Sequence, residues 1–277
     1  MKLTYKERNL RSMGIICEED LRKIKNTSIA IGGLGLGGSI FMNLVRMGFE
    51  NFHIADPDTF ERTNINRQRL AKETTIGRRK DECVEEEARA INPDVKIKIF
   101  PEGVKSTNAD AFLSGMDWVV DVVDVFAMPD KLALHAEARK RKIPVASCAT
   151  LGFTGTVVIF NEDTPSFADL TGMDPQDHFI TNLEKFLQFI CPQIPSYMQD
   201  QLMRSLDRST HLPFVVPGGE MAAAFCVTEI TKNIVGFGNR IYAPLGIFVD
   251  AFTHEIEIYK ADYAARHFHY PRLPRAA

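Results

Sequence analysis

Five of the seven residues from Gly32 to Gly38 are glycine. A short apolar run, Thr27 to Ile31, precedes them. The segment after them, from Ser39 to Gly48, places Ile40, Leu44 and Met47 on one helical side. Strand, glycine turn and helix in this order constrain the chain to a βαβ unit. The glycines permit a tight turn and let a phosphate approach backbone N–H groups at a helix N-terminus. Gly33, Gly35 and Gly38 fit the pattern GxGxxG, which alone does not choose between nucleotides.

Asn51 to Ala55 reads as the second strand, and Asp56 ends it. An acid at that point of a Rossmann-type unit takes ribose hydroxyls, so a dehydrogenase fits as well as an ATP enzyme up to here. The next stretch separates them. Asp58, Asn64, Asn66, Arg67 and Gln68 follow in close order, and Lys80 falls in the first turn of a helix that Asn92-Pro93 stops. A dehydrogenase has no need of this cluster, whereas a triphosphate needs fixed guanidinium and amide donors. A cation in a first helical turn is disfavoured by the helix dipole, which points to an anionic partner for Lys80.

Val95 to Phe100 and Trp118 to Val123 read as further strands, the second ending in Asp124. Ligands of open α/β sheets gather beyond the carboxyl ends of strands. Asp124 is thus placed to meet magnesium or ATP phosphates, with Asp121 the lesser candidate. Asp124 as a helix cap is the plain alternative. A helix over 130–140 and strands over 143–148 and 155–160 continue the alternation. The expected fold is α/β, a Rossmann-like doubly wound, mostly parallel sheet with an N-terminal helical arm over 5–26 and a helical insertion.

The expected organisation is one domain over 1–277. It divides into a nucleotide-binding core at 5–160, a helical insertion at 161–212 that is a possible crossover region, and a return to the core sheet at 213–262. In the insertion, Phe179, Leu183, Phe186, Leu187 and Ile190 share one helix face, read as packed on the core. The tail carries His267 and His269 and reads as solvated.

With 277 residues, 45% of them apolar, the chain has an ample core. Its net charge of −3 gives no reason to expect nucleic acid as a partner. The N-terminus lacks the apolar core of a signal peptide, and no run is long enough to span a membrane, so the expectation is a cytoplasmic protein with no membrane partner. The five cysteines contain no CxxC pair, which argues against a disulfide framework or a thiolate zinc site. All but Cys191 read as small buried hydrophobes.

Taken together, these residues resemble the ubiquitin-activating-enzyme-like adenylyltransferases of the ThiF/MoeB type. Arg8, the Gly32–Gly38 turn, Asp56-x-Asp58, Asn64-x-Asn66-Arg67-Gln68, Gly77-x-x-Lys80 and Asp124 match that pattern in order. The match covers roughly residues 5–160 and resumes at Glu229-x-x-Lys232-x-x-x-Gly236. The resemblance implies ATP-dependent adenylation of a carboxylate, with pyrophosphate released. It implies Arg67 and Lys80 on the phosphates, Asn64 and Gln68 as further donors, Asp56 at the ribose, Asp58 among the cofactor-binding residues, and Asp124 on Mg2+. It also implies a homodimer, in which Arg8 contacts the outer phosphates from a second subunit.

Counted back from Asp56 and Gly48, the family's glycine turn falls on Gly32, Leu34, Gly35 and Gly37, so one expected glycine is a leucine. Val125 replaces a small or amide residue, Pro129 stands where arginine is common, and the paired CxxC zinc motifs are missing. These departures bear on the substrate, which the resemblance leaves as a ubiquitin-like carrier protein, a peptide or a small acid. Cys191 is the candidate for a covalent thioester step. The competing readings are an NAD(P)-dependent oxidoreductase and a non-catalytic partner subunit of the same fold.

Overall fold

The computed structural model describes residues 2–206 and 213–262; His267 and His269 lie outside them. The N-terminal arm is helical and consists of α1 (Tyr5–Arg8) and α2 (Glu18–Asn26). Gly14, with φ +103°, lies in the turn between them.

The parallel half of the fold follows. It runs β1 (Ser28–Gly32), α3 (Gly35–Arg46), β2 (Asn51–Ala55), α4 (Lys80–Ile91), β3 (Lys96–Phe100), α5 (Ala109–Leu113), β4 (Trp118–Asp121), α6 (Met128–Lys140) and β5 (Val145–Leu151). Then come β6 (Thr154–Phe160), α7 (Phe167–Thr171), α8 (Phe179–Ile190), α9 (Gln199–Leu206), α10 (Val216–Val235), β7 (Leu245–Asp250) and β8 (Glu255–Lys260).

Among the described residues the strands form one sheet in the order β3-β2-β1-β4-β5-β6-β7-β8. Pairings from β3 to β5 are parallel; those from β5 to β8 are antiparallel. Side chains of β1 alternate between the two faces, as the pleat requires. Ile29 and Ile31 join the core under α2, α3, α4 and α10, while Ala30 joins the one beneath α5 to α8. Burial on both faces explains why β1 and β4 read as continuous apolar runs. In α8, Leu183, Phe186, Leu187 and Ile190 are buried in the second core, with Phe179 against it. None of the described helices is long and apolar enough to cross a membrane.

Strand order reverses at β1, which lies between β2 and β4. In open α/β sheets that is where a crevice opens beyond the strand ends. The register makes the three ends level: Gly32 pairs with Ala55 on one side and Asp121 on the other. The next residues along, Gly33, Asp56 and Val122, are therefore brought together from three separate parts of the sequence.

Candidate nucleotide site at the strand ends

The glycine turn is held from both sides. Gly33 N–H donates to the Ala55 carbonyl at 2.8 Å, and Val122 N–H donates to the Gly32 carbonyl at 3.0 Å. Gly33 has φ +92°, and a Cβ there would lie 2.4 Å from the Val122 carbonyl oxygen. The backbone and the space both demand glycine. A Cβ at Gly37 would meet Val122 Cγ2 at 2.9 Å, and one at Gly35 would meet Gln68 Nε2 at 3.2 Å. Leu34 occupies the N-cap of α3 and offers no capping side chain.

Asp56 serves that helix end instead. Its Oδ2 accepts the Leu34 N–H at 2.6 Å, and its Oδ1 accepts the Asp58 N–H at 2.9 Å. It is 4% exposed. Burial pushes its carboxyl up, opposed by the Lys80 charge and the two backbone donors. Lys80, the first residue of α4, is 6% exposed and places Nζ 2.9 Å from Asp58 and 3.9 Å from Asp56. Two carboxylates and one ammonium thus share the end of β2. Asp58, with 63% of its side chain exposed, is the more accessible acid.

Residues 61–68 form a compact turn beside the glycines. Asn64 is buried and its Oδ1 accepts the Glu61 N–H at 3.0 Å, so it stiffens its own turn. Arg67 is partly buried, donates to the Thr63 carbonyl at 2.6 Å and lies over the Phe214 ring at 5.4 Å. Burial lowers its guanidinium, and the Asp124 charge opposes that shift. Gln68 leaves a buried Oε1 without a partner, an orphan acceptor of the kind a bound donor satisfies. Asn66 donates to the Phe214 carbonyl at 2.9 Å. Phe214, 148 residues from Asn66 in sequence, was not a sequence-predicted site residue, and nothing local marks it. A hollow of about 50 Å³ lies among Gly35, Arg67, Gln68, Thr150 and Phe214, too small for a whole nucleotide.

Asp121 and Asp124 lie in different settings. The strand expected over 118–123 ends at Asp121, and Asp124 stands three residues beyond it. Asp124 is exposed and its Oδ1 accepts the Phe126 N–H at 3.0 Å, capping one turn of 3₁₀ helix. Asp121 is 0% exposed, pairs with Lys131 at 2.6 Å and is no candidate for a nucleotide-bound metal. Burial pushes its carboxyl up, but the Lys131 ammonium and the His135 ring reverse this and hold it well below the usual carboxylate range.

Arg8 is not part of this site in its own chain. It donates to the Leu3 carbonyl at 2.7 Å and pairs with Asp94 at 3.2 Å and Glu50 at 3.4 Å. Glu50 and Asp94 precede β2 and β3, so Arg8 lies at the amino end of the sheet, about 17 Å of strand away from the glycine turn. The cysteines differ from the expectation at Cys17. Cys17 is exposed at the N-cap of α2, while Cys83, Cys148, Cys226 and also Cys191 are buried. Cys191, at 0% exposure, is shut away from any acyl donor.

No group of three or more metal-ligating side chains occurs among the described residues. A single carboxylate at Asp124 suits Mg2+, which keeps its waters and is held by one or two carboxylates plus substrate phosphates. A larger cavity, about 650 Å³, lies elsewhere, between α6, α7 and the end of β6. None of the glycine turn, Arg67, Lys80 or Asp124 lines it.

Residues 6–267 match the model of the ThiF family. Among curated proteins, the SAMP-activating enzyme E1 of Haloferax volcanii is 28% identical over 155 residues, covering 56% of this chain and 57% of that protein. The tRNA threonylcarbamoyladenosine dehydratase of Haemophilus influenzae is 30% identical over 136 residues, covering 48% and 51%. The chain thus spans a little over half the length of these relatives. The crystal structure of E. coli MccB with ATP superposes with a TM-score of 0.67 at 16% identity, over 88% of this chain and 66% of that one, a likeness of fold. A family model that spans nearly all of the sequence, on a sheet whose glycine turn, Arg67, Lys80 and Asp124 gather at one switch point, means that this chain belongs to the ThiF family.

Proposed function

We propose that the protein adenylates a carboxylate with ATP. The observation that carries this reading is the gathering of Arg67, Gln68, Lys80 and the backbone of the glycine turn around the reversal point of the sheet. A carboxylate is a poor electrophile because its leaving group is oxide. In the proposed reaction a carboxylate oxygen attacks the α-phosphorus of ATP. The bond from that phosphorus to the β-bridging oxygen breaks, and pyrophosphate leaves. The acyl-adenylate that results carries AMP as a good leaving group.

The catalyst's task is to place the two anions together and neutralise spreading phosphate charge. Arg67 and Lys80 meet the phosphates, with the N–H groups of the turn. To do so Lys80 must exchange Asp58 for phosphate, which frees Asp58 for the ribose beside Asp56. Gln68 offers its amide, and its orphan oxygen accepts a donor from the bound pair. Asn64 acts by holding the turn that presents Arg67. Asp124 would hold Mg2+, whose role when bound is to neutralise phosphate charge.

The relatives' names span an E1 enzyme and a tRNA dehydratase, so the acid is kept open: a ubiquitin-like carrier terminus, a peptide or a small acid. A homodimer belongs to the same proposal, with Arg8 reaching a partner's site after release from Glu50 and Asp94. An NAD(P)-dependent oxidoreductase leaves residues 64–68 without a purpose. A non-catalytic subunit leaves Arg67, Lys80 and Asp124 without one.

Isotope exchange between pyrophosphate and ATP tests the reading. A panel of carboxylates, including peptides ending in glycine, is added to wild type and Arg67→Ala. Exchange that depends on one class of acid and vanishes in Arg67→Ala is expected. AMP formation without any acid dependence would contradict the proposal.

A further inference from the structure

Lys131 and His135 sit in the apolar stripe of α6, at 1% and 7% exposure, where Met128, Leu134 and Ala138 are also buried. Neither belongs to the nucleotide site. Both converge on Asp121: Lys131 Nζ lies 2.6 Å from its Oδ2, His135 Nε2 2.8 Å, and Ser147 Oγ donates to it at 3.1 Å. His135 stacks on Phe167 at a centroid distance of 4.0 Å and meets Phe160 edge-on, which fixes the ring.

The network also grips the backbone beyond β4. Asp121 Oδ1 accepts the Val123 N–H at 3.1 Å, and Lys131 Nζ donates to the Val123 carbonyl at 3.1 Å. The N–H before the Val123 Cα and the carbonyl after it, one polar atom from each flanking peptide unit, are thereby tied to buried charges. Asp124 is the next residue. On the other side, Val122 backs the glycine turn through its N–H bond to Gly32 and its close approach to Gly33. The three-residue turn 122–124 is therefore clamped between the glycine turn and a buried ion cluster.

We propose that Lys131 and His135 are positioning residues for Asp124, acting through Asp121 and the backbone of Val123. This rests on the adenylation reading, in which Asp124 faces nucleotide-bound Mg2+. An ion cluster with this degree of burial is costly to desolvate, and apolar packing would serve stability as well or better. Its use lies in holding one backbone geometry. A buried lysine that reaches a main-chain carbonyl while paired with a carboxylate fixes both a distance and a direction, as a leucine at position 131 could not.

The test uses the full chain as wild type, His135→Leu and His135→Gln. Leucine removes the donor to Asp121, and glutamine can restore it through its amide. Two readings are taken: amide hydrogen exchange across 121–126, and calorimetric affinity for ATP with Mg2+ and in EDTA. In His135→Leu, exchange at Val123 and Phe126 is expected to quicken by roughly tenfold or more. Its affinity for Mg·ATP should fall by about fivefold or more, with the EDTA value within about twofold of wild type. Glutamine should bring both back towards wild type.

Unchanged exchange and unchanged Mg·ATP affinity in His135→Leu would overturn the proposal. So would an equal loss with and without Mg2+ that glutamine does not rescue, since that is the pattern of general loosening. If His135→Leu does not fold, Lys131→Arg takes its place, because it keeps the charge and alters the reach to the Val123 carbonyl. A wild type that binds no ATP would sink the adenylation reading instead, and the exchange data would still decide whether the cluster holds the turn.

Discussion

The Asp56 carboxylate accepts the Leu34 N–H at 2.6 Å, joining the end of β2 to the start of α3. One side chain thereby caps the helix that a glycine turn leaves without a capping side chain, and stands 3.9 Å from the Lys80 ammonium. An acid placed for ribose hydroxyls thus has a structural duty as well. Asp56→Asn should keep the Leu34 bond only if the amide oxygen faces it, and it removes the charge near Lys80. Reduced thermal stability together with weaker ATP binding is expected in calorimetry and melting curves. A variant that loses nucleotide affinity with an unchanged melting temperature would show that the capping duty is negligible.

Removing Arg67 tests the phosphate role with little risk to the fold, since among the described residues it holds one carbonyl, the Asn66 side chain and the Phe214 face. Arg67→Ala should weaken Mg·ATP binding roughly 10- to 100-fold, the equivalent of a charged hydrogen bond worth about 1.5–3 kcal/mol. Phe214→Ala should have a smaller effect of the same sign, near the ~0.5–1 kcal/mol of a partly exposed cation–π contact. Isothermal titration of both variants checks the order.

Gly33→Ala should unfold or badly strain the turn. The positive φ alone costs roughly 1–3 kcal/mol for a residue with a side chain, and the added Cβ would collide with the Val122 carbonyl. Gly77 has φ +84° and open space around it. Gly77→Ala therefore measures the backbone cost without the collision. Chemical denaturation should rank Gly33→Ala well below Gly77→Ala; equal losses would mean that the contact with Val122 is unimportant.

His135 predicts a pH response. Burial lowers its ring pKa, although Asp121 opposes the shift. The unfolded chain therefore takes up a proton below about pH 6.5 that the folded chain resists. Stability conferred by the neutral ring is complete above that pH and declines as pH falls towards the folded value. Asp121, whose folded pKa is depressed, loses its contribution only at much lower pH, beginning below about 4. Melting temperature should fall between pH 7 and 5, and fall less in His135→Gln. A flat profile for wild type over that range would contradict the assignment.

Cys191→Ala should leave adenylation untouched. The thiol is buried at the C-terminal end of α8, and a nucleophile must reach its electrophile. Pyrophosphate exchange by the variant at the wild-type rate is the expected result. A folded variant without exchange would put Cys191 in the adenylation site after all.

Much of this was legible in the sequence because it is local. The strand–glycine–helix unit follows from periodicity, and α4 ends at Ile91 with Asn92 extended, as the proline after it requires. What was not legible depends on distant partners. Lys131 reads as an ordinary helix lysine until its spacing with Met128, Leu134 and Ala138 is noticed, and its partner Asp121 belongs to another element. Phe214 reaches Arg67 only because α10 returns to the sheet beside β5 and β6. Val122 and Val123 continue an apolar run that points to a longer β4, whereas Asp121 and Lys131 draw the Val123 backbone out of the ladder. Arg8 carries a family motif position, but Glu50 and Asp94 hold it at the opposite end of the sheet.

The adenylation reading stands or falls first on nucleotide choice. Calorimetric titration of Mg·ATP and of NAD into the full chain, with Lys80→Ala alongside, measures it directly. The account predicts that Mg·ATP binds, that Lys80→Ala weakens it about tenfold or more, and that NAD does not compete. Binding of NAD without ATP would contradict the account and return the chain to the oxidoreductases.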